Sequence, residues 1–328
     1  MRGMDEPVIT VVMATRNRPG QFAEALASVL MQQDVALEAV VVDDGSTDAQ
    51  REEYAAIGAL ADARVRHFTL DNSGPGRGQS YVLNYGAARA RGTWLAFLDD
   101  DDTWIDPQYL AGALRAIEAG GPEIDLHYAN QRLFMEGREI DRATWLEDLP
   151  SVLAGSVPDD GAQGWTLAPD QILRARGFSQ VNTSLVRRSL FAEIGGFDTQ
   201  IFYECDRDFY LRCIDRARAI RYAPRYVSRH NAPNPALTVN MSTSEPQLVR
   251  RISQLRVLDK AIALARRPEI QAYARWHKAY LLRRLATELA EAGQARGAAF
   301  YAREALGARF GVKWAAYTAW LGVKALGR

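Results

Sequence analysis

The first hundred residues alternate between two patterns of apolar and polar positions. Segments rich in apolar, β-branched residues at 8–14 and 37–43 are typical of strands that are buried on both faces of a parallel sheet. Between such runs, apolar residues recur every three or four positions, as they do on one face of an amphipathic helix. We therefore predict strands at 8–14, 37–43, 64–70 and 93–98, and helices at 21–33 and 78–92.

Polar residues follow three of these four predicted strands, at 15–18, 43–46 and 99–102. Alternation of strand and helix predicts a parallel sheet with right-handed crossovers, and ligands of such sheets bind beyond the carboxyl ends of the strands. The pattern therefore predicts an α/β fold with a mostly parallel, Rossmann-like sheet flanked by helices. A ligand site is expected at the edge where the polar residues converge.

The pattern becomes less regular after about residue 120 and is purely helical at the end of the chain. The intervening predictions are a strand at 125–134, a long loop rich in Gly, Pro and Asp at 150–171, a short helix and a Gly-Gly turn within 180–198, an amphipathic helix at 203–215 and an extended segment at 221–242. From Ser244, which is a candidate N-cap, Ala, Leu, Arg and Glu dominate. We predict a first domain at 1–243 and an α-helical C-terminal region at 244–328.

The composition narrows the classes of partner. The 328 residues include 40 basic and 40 acidic side chains, so a general nucleic-acid binder is not expected. Two cysteines are too few for a disulfide framework, and no stretch approaches the ~20 apolar residues of a spanning helix. The N-terminus lacks the basic and apolar regions of a signal peptide, which favours a cytoplasmic protein.

Four consecutive aspartates, Asp99 to Asp102, follow the fourth predicted strand. Like charges on neighbouring residues repel each other, so a compensating partner is expected. One alternative is a hard cation, because Mg²⁺ and Mn²⁺ prefer oxygen ligands. The other is that Asp102 or Thr103 caps a helix starting at Pro107 while water solvates the rest. The neighbouring polar strand ends favour the cation. Residues two apart on a strand point the same way, so Asp99 and Asp101 are expected to share a face.

The other two strand ends offer contacts for a nucleotide. Asp43 and Asp44 can accept a hydrogen bond from a nucleobase imide or a ribose hydroxyl, or they can form a capping turn. Thr15 and Arg18 can lie along the nucleotide, and a guanidinium suits phosphate. Arg77 offers a similar charge in a glycine-rich loop, although this loop lacks the spacing of known phosphate-binding fingerprints.

Two further candidates come late in the chain. The segment 204–208 holds Glu204, Asp206 and Asp208. One of these carboxylates can act as a general base toward a hydroxyl, whereas acids in a first helical turn also stabilise a helix through its dipole. His230 is a candidate metal or phosphate contact, or simply a hydrogen-bonded residue.

Four segments together resemble the family-2 glycosyltransferases, which are inverting, metal-dependent enzymes of the GT-A fold. They are "VVMATRNRPGQFAEALASVLMQQ", "VVVDDGSTD", "WLAFLDDDDTW" and "GGFD…YECDRDFYLR", in the order and at about the spacing of that family. The similarity covers about residues 7–232. It implies nucleotide-sugar binding by Thr15 and the Asp43/Asp44 pair, and a metal-binding Asp-x-Asp at Asp99 and Asp101.

The sequence departs from that family at two positions. The late acidic motif of the family usually reads Glu-Asp-x-Asp, and here Cys205 replaces the glutamate. Asp206 matches the motif position that is usually the catalytic base, and the neighbouring Glu204 is a second candidate for that role. The second departure is Leu83, where many members have an arginine. Phosphate contacts would then fall to Arg77 or Arg18.

The resemblance implies inverting transfer of a sugar from a nucleotide-diphosphate donor to a hydroxyl of a glycan, a lipid-linked or another acceptor. Asp206 would take the proton of that hydroxyl. Mg²⁺ or Mn²⁺ would be held by Asp99 and Asp101, with His230 as a further candidate ligand, and Asp99 and Asp100 would also contact the nucleotide. A UDP-sugar is favoured over a dTDP- or GDP-sugar. Two other classes stay open: a sugar nucleotidyltransferase and a non-catalytic nucleotide-sugar sensor or scaffold.

The last predicted helix carries an aromatic face formed by Trp314, Tyr317 and Leu321, with Lys313, Lys324 and Arg328 nearby. Such a face can lie on a membrane surface near a lipid-linked acceptor. It can equally pack on the rest of the chain or form a homodimer contact. Core packing is the more frequent reason for an aromatic face, so peripheral membrane contact is the less favoured alternative.

Overall fold

The computed structural model describes residues 6–71, 74–141, 145–153, 164–232 and 245–326. The chain divides into two compact units, Met1–Thr238 and Val239–Arg328. The predicted domain boundary after residue 243 and the candidate N-cap Ser244 lie outside the described residues, as does the centre of the loop predicted at 150–171.

A ten-stranded sheet runs through the first unit. Its strands are β1 (Ile9–Thr15), β2 (Leu37–Asp43), β3 (Val65–Thr69), β4 (Trp94–Phe97), β5 (Thr103–Trp104), β6 (Ile124–Met135), β7 (Arg138–Glu139), β8 (Trp165–Leu167), β9 (Ser184–Arg187) and β10 (Ala219–Asn231). The main path has the order β3-β2-β1-β4-β9-β6-β10-β5, while β7 pairs with β6 and β8 with β10.

The four strands predicted from the first hundred residues form a parallel half of this sheet. β1 pairs in parallel with β2 and β4, and β2 pairs in parallel with β3. Their carboxyl ends therefore share one edge, as predicted. β9 runs antiparallel to both β4 and β6, and beyond it β6 and β10 pair in parallel over a long register. The predicted α/β architecture is confirmed, and the whole sheet is mixed.

Helices cover both faces of the sheet. The first unit contains α1 (Pro19–Leu30), α2 (Asp48–Ala55), α3 (Gln79–Ala87), α4 (Tyr109–Gly120), α5 (Leu149–Val152), α6 (Pro169–Ile172), α7 (Arg188–Glu193) and α8 (Cys205–Arg216). Because side chains alternate along a strand, Val41 of β2 packs in the core that contains α1 and α4, whereas Val40 and Val42 pack with Val82 of α3. This two-sided burial explains the continuous apolar runs in the sequence.

One local prediction is incomplete and another is wrong. The short helix predicted within 180–198 is present as α7, but the residues before it form a 3₁₀ turn (Val181–Thr183) and β9, which were not predicted. A buried strand of four residues gives no periodicity that distinguishes it from a helix. Helix α3 ends at Ala87 rather than at Gly92. A Cβ atom at Gly92 would lie 2.6 Å from the backbone nitrogen of Thr10, so this glycine allows a close backbone approach instead.

The second unit is helical over its described residues, as predicted. It contains α9 (Gln247–Leu264), α10 (Pro268–Glu291), α11 (Ala295–Ala308) and α12 (Val312–Leu326). Its core combines Leu285, Leu289 and Leu321 with small residues such as Ala298 and Ala302, which let the helices approach closely. No described helix is both long and apolar enough to cross a bilayer.

The aromatic face predicted for the last helix lies in this core. Leu321 is fully buried, and Trp314 and Tyr317 pack against the same cluster. The indole N–H of Trp314 donates to the carbonyl of Ala302 over 3.0 Å. The face formed by Trp314, Tyr317 and Leu321 therefore packs on the rest of the chain. The alternative that this same face lies on a membrane is wrong.

Candidate active site

The acidic loop that follows β4 is fastened by Asn182 from the turn before β9. The Asp99 N–H donates to Asn182 Oδ1 over 3.0 Å, and Asn182 Nδ2 donates back to Asp99 Oδ2 over 3.2 Å. The same amide group donates to Asp102. Asn182 is fully buried, so it is a fixed partner for the two outer aspartates. No sequence motif marks this residue, so it could not be predicted from the sequence.

Asp102 anchors the loop and does not cap a helix. Its carboxylate is fully buried and accepts the Asn231 N–H over 2.7 Å, with His230 Nδ1 at 2.8 Å. Helix α4 begins at Tyr109 after the N-cap Gln108. The capping alternative for Asp102 and for Thr103 is therefore wrong.

Arg18 pairs with the two inner aspartates. Its NH1 atom lies 3.2 Å from Asp100 Oδ1 and 3.0 Å from Asp101 Oδ2. Thr15 donates its hydroxyl hydrogen to Asp100 Oδ2 over 2.8 Å. Strand β4 ends at Phe97, and the loop after it turns at residues 100–101. Because of this turn, the side chains of two consecutive aspartates both reach Arg18. That Asp99 and Asp101 act as a pair stays a prediction.

Crowding and burial raise the pKa values of the aspartates in this loop. Burial first, and then the charges of Asp102 and Asp101, raise the pKa of Asp99 well above its ordinary value. Burial, followed by the charges of Asp102 and Asp100, raises the pKa of Asp101 to about 6. Burial also raises the pKa of Asp100, although Arg18 opposes this shift. A cation would relieve such repulsion, so the oxygen donors of this loop fit a hard divalent ion.

The few oxygen ligands in this loop fit a divalent cation that binds together with a phosphate group. Across the part of the chain that the structure describes, no three carboxylate, thiol or imidazole groups form a ready-made metal site. Mg²⁺ is usually held by one or two carboxylates and by substrate phosphates, with water completing its shell. Asp99 and Asp101 can supply such a partial set.

His230 lies beside the acidic loop, which raises the pKa of its imidazole. Burial lowers its pKa, but the hydrogen bond to Asp102 and the charges of Asp102 and Asp99 outweigh burial and raise the pKa to about 9. The ring also meets Trp145 edge-on, with 5.6 Å between the ring centroids. Because Nδ1 faces Asp102, His230 must lose its Nε2 proton before it can bind a metal. Its role as a metal ligand stays a prediction.

The two aspartates after β2 bind the main chain of adjacent loops. Asp43 Oδ1 accepts the N–H and the hydroxyl hydrogen of Ser46, over 2.9 and 2.6 Å. This is the turn that the sequence offered as an alternative for Asp43. Asp44 accepts the N–H groups of Arg77 and Gly78, over 2.9 and 3.0 Å. Asp44 thus holds the glycine-rich loop at the strand end, and Arg77 lies at this edge of the sheet.

The three carboxylates at the start of α8 have different surroundings. Glu204, whose backbone is left-handed with φ 58°, pairs with Arg207 at 3.3 Å. Asp208 is buried and pairs with Arg212 at 2.7 Å. Within the described residues, no basic side chain forms an ion pair with Asp206, whose Oδ1 accepts the N–H of the next residue over 2.9 Å. Asp206 is therefore the carboxylate best placed to accept a proton.

Burial, and then the charge of Glu204, raise the pKa of Asp206 to about 6. A carboxylate with such a pKa binds a proton more readily than an ordinary aspartate and is still ionised at neutral pH. General bases need this combination. Glu204 is held by its arginine partner, which makes it the weaker of the two candidates.

A second residue that the sequence did not single out connects this motif with the acidic loop. Gln79 Nε2 donates to Asp99 Oδ1 over 2.7 Å, and Gln79 Oε1 lies 3.8 Å from Cys205 Sγ. A bridge of one side chain thus joins the loop after β4 to the start of α8. The structure brings Thr15, Arg18 and His230 to the aspartates directly, and it brings the Asp206 segment to them through Gln79.

Solved structures of GT-A glycosyltransferases share this fold. S. aureus TarS in complex with UDP-GlcNAc matches with a TM-score of 0.62 and 18% identity, over 92% of this chain and 81% of that chain. The mannosyltransferase PcManGT from Pyrobaculum calidifontis, in complex with GDP-Man and Mn²⁺, matches with a TM-score of 0.59 and 19% identity, over 98% of this chain and 81% of that chain. The predicted GT-A fold is confirmed.

Sequence comparison finds similarity to glycosyltransferases over part of the chain. Residues 10–151 match the model of "Glycosyl transferase family 2". It is 40% identical over 119 residues to the succinoglycan biosynthesis protein ExoO of Rhizobium meliloti (strain 1021), a match that covers 36% of this chain and 32% of ExoO. The chain spans about a third of the length of such curated relatives. The resemblance stated from the motifs is confirmed.

Proposed function

We propose that this chain transfers a sugar from a UDP-sugar to an acceptor hydroxyl, with inversion and with a divalent cation. The observation that carries the proposal is the acidic loop, where burial and mutual repulsion raise the pKa values of Asp99 and Asp101. Carboxylates arranged in this way at the carboxyl ends of parallel strands favour a cation and a nucleotide diphosphate. Polysaccharide or glycoconjugate synthesis is the process that we infer.

The donor would lie along the edge formed by Thr15, the turn after β2 and the glycine-rich loop. Mg²⁺ or Mn²⁺ held by Asp99 and Asp101 would neutralise charge on the leaving diphosphate. Arg18, which reaches Asp100 and Asp101, and Arg77 would be the cations that bind the phosphate oxygens. UDP is our first choice because TarS binds UDP-GlcNAc, and GDP is the next because PcManGT binds GDP-Man.

Asp206 would act as the base. It would take the proton of the acceptor hydroxyl while that oxygen attacks the anomeric carbon opposite the leaving diphosphate. A single base on one face of the sugar gives inversion. The ion pair between Glu204 and Arg207 supports Asp206 over Glu204 in this role.

The test is a calorimetric titration of UDP into the full chain, with Mn²⁺ or with EDTA. Asp101→Ala is the variant, and Asp48→Ala is its control, because the side chain of Asp48 is 93% exposed at the start of helix α2. We expect UDP binding that requires both the ion and Asp101 and that Asp48→Ala leaves unchanged. Binding that ignores both the metal and the substitution would remove the metal role assigned to Asp101.

Product analysis separates the competing functions. Release of UDP from a UDP-sugar in the presence of acceptor supports transfer, whereas formation of pyrophosphate identifies a nucleotidyltransferase. Donor binding without any product identifies a scaffold or sensor. This alternative stays open because Cys205 replaces the glutamate of the acidic motif. If UDP does not bind, GDP and dTDP are titrated in the same way.

A further inference from the structure

Helix α12 presents an apolar surface away from the core of the second unit. Its inward face carries Trp314 and Leu321, as described above. The opposite face is formed by exposed apolar side chains only: Val312, Ala316, Ala319, Trp320, Val323 and Leu326. Val312 is 77% exposed, Val323 71% and Leu326 88%. We call this the outer face of α12.

Basic residues flank the outer face, and acidic residues are missing from it. Lys313 and Lys324 are exposed, and the Lys324 amine lies 4.9 Å from the centroid of a Trp320 ring. No Asp or Glu occurs between residues 312 and 326. Exposed Arg309 and Phe310, which is 72% exposed, immediately precede the helix. An apolar face with an aromatic residue and a basic flank is typical of helices that lie in a membrane interface.

We propose that the outer face of α12 docks on an anionic lipid surface. The apolar side chains would enter the boundary between headgroups and acyl chains, and the lysines would meet the lipid phosphates. This function does not depend on which sugar the first unit transfers. It would keep the enzyme at a surface where a lipid-linked acceptor is present.

Charge favours lipid over a second copy of the chain as the occupant. A two-fold contact brings the same surface patch of both copies together. In such a contact, Lys313 and Lys324 would face the same lysines of the partner, and α12 offers no carboxylate to compensate them. An anionic bilayer supplies that negative charge directly.

Vesicle co-sedimentation of the full chain tests the proposal. The vesicles contain phosphatidylcholine alone or phosphatidylcholine with phosphatidylglycerol. We expect binding to the anionic vesicles only, with weaker binding at high salt because exposed charges are screened. Trp320→Glu should weaken partitioning about tenfold or more, since it places a carboxylate at the apolar interface. The tryptophan emission of the wild type should shift to the blue when Trp320 enters the vesicle surface. Trp320→Phe should still bind the vesicles but should lack this shift.

Trp276→Glu is the matched control. Trp276 is 51% exposed on α10, against 52% for Trp320 on α12, so the two substitutions disturb the fold to a similar degree. The proposal requires that Trp276→Glu binds vesicles like the wild type. Equal loss in both variants, or a wild type that ignores anionic vesicles, would overturn it. Self-association that depends on Trp320 and occurs without vesicle binding would assign the outer face to a second copy instead.

Discussion

Asn182 and Asp99 bond to each other in both directions, although they are 83 positions apart in the chain. The Asp99 N–H donates to the amide oxygen, and the amide nitrogen donates to the carboxylate. Because Asn182 lies in the 3₁₀ turn before β9, and β9 pairs with β4, this bond ties the acidic loop to the segment that leads into the neighbouring strand. The shape of the candidate site therefore depends on a neutral side chain that belongs to none of the family motifs.

We expect Asn182→Ala to destabilise the fold by about 2–3 kcal/mol, because Asp99 and Asp102 lose a buried donor and the Asp99 N–H loses its acceptor. Unfolding in urea, followed by tryptophan fluorescence, measures the change. Gln50→Ala removes an exposed amide that bonds to Glu53 and should change stability by less than about 0.5 kcal/mol. Equal unfolding midpoints for the two variants would contradict the anchoring role of Asn182.

The parallel half of the sheet and its polar edge could be predicted because their signals are local. A strand buried on both faces shows in the sequence as a continuous apolar run, and its polar end follows directly. Thr15, Arg18 and Asp99 to Asp102 were found in this way. Their grouping could not be predicted, because it depends on the turn that makes Asp100 and Asp101 share Arg18.

Other parts of the site required the fold. Asn182 and Gln79 act through contacts that are distant in sequence, and β9 is too short to show a period. The outer face of α12 was not recognised for a related reason. A helix with apolar residues on both sides does not reveal from its sequence which side meets the core, and here Leu321 faces inward while Val323 faces outward.

Asp206→Asn should lower the rate of sugar transfer by a factor of about 10²–10⁴, because the amide cannot take a proton from the acceptor. Affinity for UDP should stay close to that of the wild type, since Asp206 is assigned to the acceptor side. Initial rates of UDP release and calorimetric titration measure the two quantities. Glu204→Gln should retain most of the rate. If Glu204→Gln abolishes turnover and Asp206→Asn does not, the base is Glu204.

The rate of transfer should fall as the pH drops through about 6, because burial and the charge of Glu204 raise the pKa of Asp206 to that value. The base must be ionised to accept a proton, so activity is lost below the pKa of Asp206 and is full above that pKa. Replacing Glu204 by Gln removes a negative charge and should move the acidic limb of the pH–rate profile to lower pH. A limb that stays in place in Glu204→Gln would show that a different group controls it.

The same shift of pKa has a consequence for stability. A carboxyl group that holds its proton more tightly in the folded chain than in the unfolded chain favours folding at low pH. This contribution is lost as the pH rises from the ordinary value of 3.8 to the folded value of about 6. Asp206→Asn should therefore raise the melting temperature at about pH 8 and change it little at about pH 4. An equal change of melting temperature at both pH values would contradict a raised pKa for Asp206.

Gly76→Ala should weaken nucleotide binding without unfolding the chain. Gly76 has φ 89°, and a Cβ atom there would lie 2.4 Å from Arg16 NH1 and 2.6 Å from Asp44 Oδ2. The methyl group would therefore push the loop away from Asp44, which holds the backbone of Arg77 and Gly78.

Gly74→Ala is the matched control, because Gly74 also has a positive φ, 104°, but a Cβ atom there would meet nothing within 4 Å. Both variants carry the backbone strain of a left-handed alanine, so a larger loss of UDP affinity in Gly76→Ala isolates the contact with Asp44. Equal affinities in the two variants would show that the position of this loop does not control donor binding.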